Sequence, residues 1–224
     1  MSKELQKKLL FIALFVLVGI GAMQVPFSQL IGAKSIRFSL FDFYGPIVAA
    51  FVGSIWGVAA VAIMQLANWA WHGFNTDLGA IIRLFPILFA ALYFAKKSRL
   101  VLLVPTIAMI AFWAHPEGRI AWYYALYWLI PILAYFLYDR FLIARALGAT
   151  FTAHAVGGAL WIWGLNMKAA LWIGLIPIVW KERLLMAIGI MFTYLAFNYL
   201  LSAAQAKFGL KLPFVKLNPK YTKI

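Results

Sequence analysis

Long apolar runs dominate the chain, and short polar or basic segments separate them. The first run, Leu9 to Val25, can cross a bilayer as one helix, because about 20 apolar residues span the hydrocarbon core. Leu78 to Ala95 is a second complete run. The apolar residues are continuous and do not alternate with polar ones, which favours helices over the strands of a membrane barrel.

The segment from Phe38 to His72 is too long for a single crossing, because as one helix it would measure about 50 Å. Glycines near its middle predict two short helices, about 38–53 and 57–72, that turn near Gly53 to Gly57. One tilted span from Pro46 to Trp71 is the alternative.

The second half of the chain predicts two further pairs of spans. They are Leu100 to Ala114 with Ile120 to Tyr138, and Phe141 to Trp163 with Leu184 to Ala204. The apolar stretch Ala169 to Trp180 is too short to cross, so we expect a re-entrant or interfacial segment on the outer side.

These spans predict an all-α fold: a polytopic transmembrane bundle of about eight helices. A single transmembrane domain would occupy residues 1–206. A basic cytoplasmic tail would occupy residues 207–224 and lie along the lipid surface.

Composition agrees with a membrane location. Hydrophobic residues make up 66% of the 224 residues, charged residues only 12%, and the mean hydropathy is +0.91. An apolar excess of this size has to face lipid. The chain has no cysteine, which excludes disulfides, thiolate nucleophiles and cysteine-bound metals.

The formal charge of +14 comes mostly from four clusters beside apolar spans. They contain Lys3, Lys7 and Lys8; Lys96, Lys97 and Arg99; Arg140 and Arg145; and five lysines from Lys207 to Lys223. The positive-inside rule places all four in the cytoplasm, with both termini. We therefore expect a multi-pass protein of a prokaryotic-type inner (plasma) membrane, with lipid rather than nucleic acid as its charged partner.

With this orientation, polar and tryptophan side chains concentrate in the outer halves of the spans. Ionisable groups in a bilayer cost about 2.5–3.5 kcal/mol each on insertion scales, so they usually pair or face a wet cavity. We expect an outward-facing pocket for a small polar or aromatic solute. The candidate binding residues are Asp42, Asn68, His72, Arg83, His154, Trp161, Glu182 and Arg183.

Several of these candidates also have structural interpretations. Arg83 could reach the headgroups, and Asp42 could cap its helix or pair with Arg37. His154 could hydrogen-bond across a close helix contact made by its small neighbours. Glu182 and Arg183 could sit at a helix start, where a carboxylate suits the positive end of the helix.

Catalysis has little support in the sequence. The three histidines lie in separate segments, and no Ser/His/Asp arrangement or two-histidine metal spacing is visible. We expect no enzymatic activity, no metal and no cofactor.

Two stretches resemble the substrate-binding S components of energy-coupling factor (ECF-type) vitamin-uptake transporters. Residues 38–57, FSLFDFYGPIVAAFVGSIWG, are similar to that family's short second helix, turn and third helix. Residues 147–158, LGATFTAHAVGG, and 175–183, LIPIVWKER, are similar to its final two helices. The chain would add a pair of helices, 100–138, to a six-helix core, and it has Leu17 four residues after Ala13, where the family has a second small residue.

This resemblance implies a solute site on the outer side, and as partners a transmembrane coupling subunit and cytoplasmic ATPases. A solute-binding component of a transporter is thus the leading hypothesis. The alternative is a non-catalytic structural subunit of a larger membrane complex, which would also suit the small-residue faces and the basic tail.

Overall fold

The protein is described by a computed structural model over residues 2–29 and 37–222, and it is all-α, with 81% of residues helical and 2% in strands. The described residues form ten α-helices: α1 (Lys3–Met23), α2 (Phe41–Val52), α3 (Ser54–Trp71), α4 (Leu78–Ile82), α5 (Pro86–Ala95), α6 (Leu103–Ala114), α7 (Pro116–Ile120), α8 (Ile130–Leu137), α9 (Leu142–Leu165) and α10 (Ala169–Phe208). Short 3-10 segments occupy Arg99–Leu102, Trp122–Leu129 and Pro219–Tyr221, and strands β1 (Pro26–Gln29) and β2 (Arg37–Ser39) pair antiparallel after α1.

Three helical segments are long and apolar enough to cross a membrane: α1, Leu78–Ala95 and α10. Three further apolar helical segments have only 10–17 residues: Phe41–Val52, Arg99–Ala114 and Trp122–Leu137. The fold is therefore compatible with a membrane protein, as the continuous apolar runs predict.

The chain reverses direction at Gly53, between α2 and α3. Gly53 has φ of +90°, a backbone conformation that favours glycine. The two helices then pack so closely that a Cβ on Gly57 would lie 2.1 Å from the Cα of Ala49. The sequence prediction of a two-helix hairpin is correct here, and the alternative of one span from Pro46 to Trp71 is wrong.

Helix α10 differs from the sequence prediction. It is one continuous helix of 40 residues with Pro177 in its interior. The expectation of a separate re-entrant segment at 169–180 is therefore wrong, and so is the placement of Glu182 and Arg183 at a helix start. A proline inside a helix removes one hydrogen bond but does not always end the helix.

Helix α9 lies at the centre, where α5, α6, α8 and α10 all pack against it. Its small residues permit close approach: a Cβ on Gly148 would meet the Tyr93 ring at 2.2 Å, and one on Gly158 would meet the Trp128 ring at 2.5 Å. Large aromatic side chains of neighbouring helices thus fill the space that the glycines leave.

Described members of all four basic clusters lie at one end of the bundle, which we call the basic end. Lys8 of α1 stacks on Trp56 at the start of α3, and Lys97 pairs with Asp139 at 2.9 Å. Arg145 donates to the carbonyl oxygen of Phe94 near the end of α5. These contacts join segments that lie far apart in sequence, as an arrangement with all clusters on one side requires.

The C-terminal tail packs on the basic end and does not lie apart from the bundle. The backbone N–H of Lys216 donates to the carbonyl oxygen of Phe51 at 2.8 Å. Asn198 exchanges two hydrogen bonds with the backbone of Asn218, and the side chain of Val215 is only 8% exposed. Residues 212–221 therefore dock on the helices through their apolar side chains, and the expectation that the tail lies along the lipid surface stays a prediction.

Candidate functional site

A cavity of about 980 Å³ lies between α2, α3, α4, α5, α9 and α10, toward the end of the bundle opposite the basic end. This size falls at the upper end of ordinary small-molecule pockets. The structure brings all eight candidate residues together on its wall: Asp42, Asn68, His72, Arg83, His154, Trp161, Glu182 and Arg183.

His72 and Arg83 stand at the exposed mouth of this cavity. Helix α3 supplies Asn68, whose side-chain oxygen accepts from Gln24 Nε2 at 3.0 Å and whose backbone oxygen lies 2.8 Å from His72 Nδ1. Gln65 donates to the carbonyl oxygen of Arg83 at 3.2 Å. Polar side chains at the mouth thus tie α1, α3 and the α4–α5 segment together.

Asp42 lies in the first turn of α2 and is partly buried. Its Oδ2 accepts from the backbone N–H of Ser39 at 2.8 Å, so the carboxylate binds an N–H just before the helix. The N-cap residue of α2 is Leu40, without a side-chain capping hydrogen bond, so the capping interpretation of Asp42 is wrong: its carboxylate binds the strand residue that precedes the cap. The other interpretation is an ion pair between Asp42 and Arg37. The side chain of Arg37 lies outside the described part of the structure, so this interpretation is not tested.

Arg183 and Glu182 project from the middle of α10 and lie deeper than the mouth. Arg183 is 9% exposed, and its Nη1 donates to Thr150 Oγ1 on α9 at 3.3 Å. Its Nη2 lies 3.8 Å from Glu182 Oε2 and forms a loose ion pair with it. Its Cζ lies over the aromatic ring of Phe38, 5.3 Å from the ring centroid. A buried guanidinium thus forms part of the inner wall.

His154 is held on both ring nitrogens by aromatic partners. The indole N–H of Trp128 donates to Nδ1 at 2.9 Å, and the Tyr124 hydroxyl lies 2.9 Å from Nε2. The structural interpretation of His154, a hydrogen bond across a close helix contact, therefore holds. His154 also lines the cavity, so it can both join the helices and contact a bound solute.

Sequence reasoning did not single out Tyr124, Trp128, Thr150 or Trp172, although three of them line the cavity and Trp128 fixes the orientation of His154. Tyr124 and Trp128 lie in the run 122–129, where every residue looks like a lipid-facing or core residue. Only the fold shows that this segment directs the Tyr124 hydroxyl and the Trp128 indole N–H toward His154 on α9.

The chemistry of the wall suits recognition. Apolar and aromatic surface predominates, and a few polar groups with fixed positions interrupt it, as in pockets that orient a small ligand. In the described part of the chain, no group of three or more His, Asp or Glu side chains is arranged to hold a metal ion.

Comparison of the chain with protein-family models, with curated proteins and with solved structures finds no match. The class that fold and site define is thus a helical, membrane-compatible protein with a solute-sized cavity.

Proposed function

We propose that this protein is a membrane-embedded component that binds a small solute in the cavity and takes it from the outer side of an inner membrane. The observation that carries the proposal is the cavity itself. One wall gathers eight polar or aromatic residues that the sequence places on five different segments. Several of these residues also make structural contacts, but the space that they surround is large enough for a small solute.

Orientation supports the outer side. The basic end would face the cytoplasm under the positive-inside rule, and the mouth with His72 and Arg83 would then face outward. In this arrangement the helices cross about eight times, with both termini inside. The likeness to the S components of energy-coupling factor transporters supports the same polarity, and it proposes a transmembrane coupling subunit and cytoplasmic ATPases as partners.

A cavity-blocking variant tests the proposal. Gly157 lines the cavity, and a Cβ there would meet its nearest atoms, Pro86 Cγ and Trp161 Cδ1, at 3.6 and 3.9 Å. Gly157→Leu therefore fits at its base and extends into open space. Gly21→Leu on α1 is the matched control, because a Cβ there meets nothing within 4 Å and Gly21 does not line the cavity.

The measurement is mass spectrometry of small molecules released from protein purified in mild detergent from its native host. We expect a solute near one equivalent with the wild-type protein and the Gly21→Leu variant, and its loss from Gly157→Leu. Equal retention by both variants would refute binding in the cavity. A stoichiometric assembly without ATPase subunits and without a solute would favour the structural-subunit alternative.

A further inference from the structure

Arg183 carries an unused hydrogen-bond donor on the cavity wall. Its Nε is buried and has no hydrogen-bond partner among the described residues. Buried N–H groups in folded proteins almost always have an acceptor. Since Arg183 as a whole residue is only 9% exposed and lines the cavity, the missing acceptor is one that an occupant of the cavity can supply.

Tyr124 carries a second donor, which follows from the hydrogen bonds of His154. An indole N–H can only donate, so Trp128 requires that His154 Nδ1 has no proton. The neutral ring therefore carries its proton on Nε2 and donates it to the Tyr124 oxygen. The Tyr124 hydroxyl proton then points away from His154 and can be donated to an acceptor in the cavity, which Tyr124 lines.

Arg183 and Tyr124 both line the cavity. A lone pair on a solute there, such as that of a carbonyl oxygen or a ring nitrogen, would accept from both donors. The rings of Trp161, Trp172 and Phe41 line the same cavity and offer flat apolar surface to a planar ligand.

The charges on the wall indicate that this ligand has no net charge. Among the described lining residues, two carboxylates, Asp42 and Glu182, accompany two guanidiniums, Arg83 and Arg183, so the formal charges of these four side chains cancel. A carboxylate ligand would add an uncompensated negative charge in a weakly polar surrounding, where charge is costly. A neutral acceptor satisfies the donors without that cost.

We infer that the cavity takes an uncharged, planar heteroaromatic solute that presents a carbonyl oxygen or ring nitrogen to Arg183 Nε and to the Tyr124 hydroxyl. This inference rests on the proposed function and adds the chemical class of the solute. It also assigns Tyr124 as a binding residue and Trp128 and His154 as the residues that position its hydroxyl.

Matched acid and amide compounds test the inference by isothermal titration in detergent. The pairs are indole-3-acetamide with indole-3-acetate, and quinoline-4-carboxamide with quinoline-4-carboxylate. We expect each amide to bind the wild-type protein about tenfold or more tightly than its acid. Tyr124→Phe and Arg183→Lys should each weaken amide binding by about tenfold.

Tyr127→Phe is the control. It removes a hydroxyl three residues away that donates to the carbonyl oxygen of Ile176 and does not line the cavity, so amide binding should not change. Thermal melting shows that each variant is folded before titration.

Three outcomes would overturn the inference. Tighter binding of the acids would show an anion site while leaving the proposed function intact. Unchanged amide binding by Tyr124→Phe would show that the hydroxyl does not donate to the solute. Failure of all four compounds to bind the wild-type protein would overturn the chemical class, while retention of a native solute decides the proposed function separately.

Discussion

His154 shows how one side chain can belong to both the packing and the site. The sequence indicates a histidine among small residues, which is enough to predict a close helix contact with a hydrogen bond. It does not indicate the partners, because Trp128 and Tyr124 lie in an aromatic run with no periodicity that separates lipid-facing from inward-facing positions. The helix contact of His154 was therefore predictable from the sequence, whereas the hydrogen bonds from Trp128 and to Tyr124 were not.

Trp128→Phe should destabilise the protein by about 1–3 kcal/mol, because it leaves Nδ1 of His154 buried without its donor. Denaturant unfolding in mixed micelles measures this change. Trp163→Phe is the matched control: it also removes an indole N–H, here bound to the carbonyl oxygen of Ala111, but the side chain is exposed. Equal losses for both variants would contradict a special role for the His154 network.

At the scale of elements, the helical hairpin at Gly53 was accessible from the sequence, while helix α10 was not. The hairpin follows from the length of the apolar segment 38–72 and from two glycines. Glycine is favoured at both positions, because Gly53 has positive φ and Gly57 packs against Ala49. Helix α10 contains Lys181, Glu182 and Arg183 in its middle, and such a polar group resembles a helix boundary. Glu182 and Arg183 line the cavity beside this helix, which explains their place inside a continuous helix, whereas Lys181 is exposed.

Gly57→Ala should destabilise the protein, since its new methyl group would lie 2.1 Å from the Cα of Ala49 and would force α2 and α3 apart. Overpacking of this kind typically costs about 1–3 kcal/mol. Gly21→Ala, also in a helix but with open space around it, should be neutral or stabilising. Thermal melting of both variants in detergent measures the difference, and a Gly57→Ala protein as stable as the wild type would show that the two helices do not pack closely there.

The start of α10 depends on Glu117 of α7. Its Oε2 accepts from the backbone N–H of Ala169 at 2.8 Å, and its Oε1 pairs with Lys168 at 3.0 Å. The first of these hydrogen bonds, followed by that to Lys168, lowers the pKa of Glu117. The contact therefore contributes to stability above the ordinary pKa of a glutamate and is lost as the pH falls through the lowered value.

We expect the melting temperature of the wild-type protein to fall as the pH drops below about 4.5, partly through this contact. Glu117→Gln should have a lower melting temperature than the wild type at neutral pH, and its melting temperature should change less as the pH falls. The melting temperature of Lys168→Gln should lie between those of the wild type and Glu117→Gln, because the backbone donor at Ala169 remains. Parallel pH profiles for the wild type and Glu117→Gln would rule out this linkage.

At the scale of the whole molecule, the sequence predicts that the basic clusters share one side, while the side of the membrane that they face stays a prediction. Charge clusters separated by many residues meet at one end through Lys8 with Trp56, Lys97 with Asp139 and the docked tail. The polar residues left over gather at the cavity on the other side. The docked tail itself was not predictable, because its apolar residues are few and their packing surface comes from α2 and α10.

Because the chain has no cysteine, single cysteines report orientation without background. Asn75→Cys, on the loop after α3, should react with a membrane-impermeant maleimide added to intact cells. Lys96→Cys, at the basic end, should react only after the cells are permeabilised. Both positions are exposed, so access depends on the side of the membrane. The reverse pattern would place the cavity mouth in the cytoplasm.

An experimental structure of the protein purified from its native host, without added ligand, tests the central claim most directly. We predict density of solute size between Trp161 and His154, within hydrogen-bond distance of Arg183 Nε and the Tyr124 hydroxyl. A cavity filled only by lipid or detergent chains, with no polar contact to Arg183, would contradict the claim that this protein binds a small solute there.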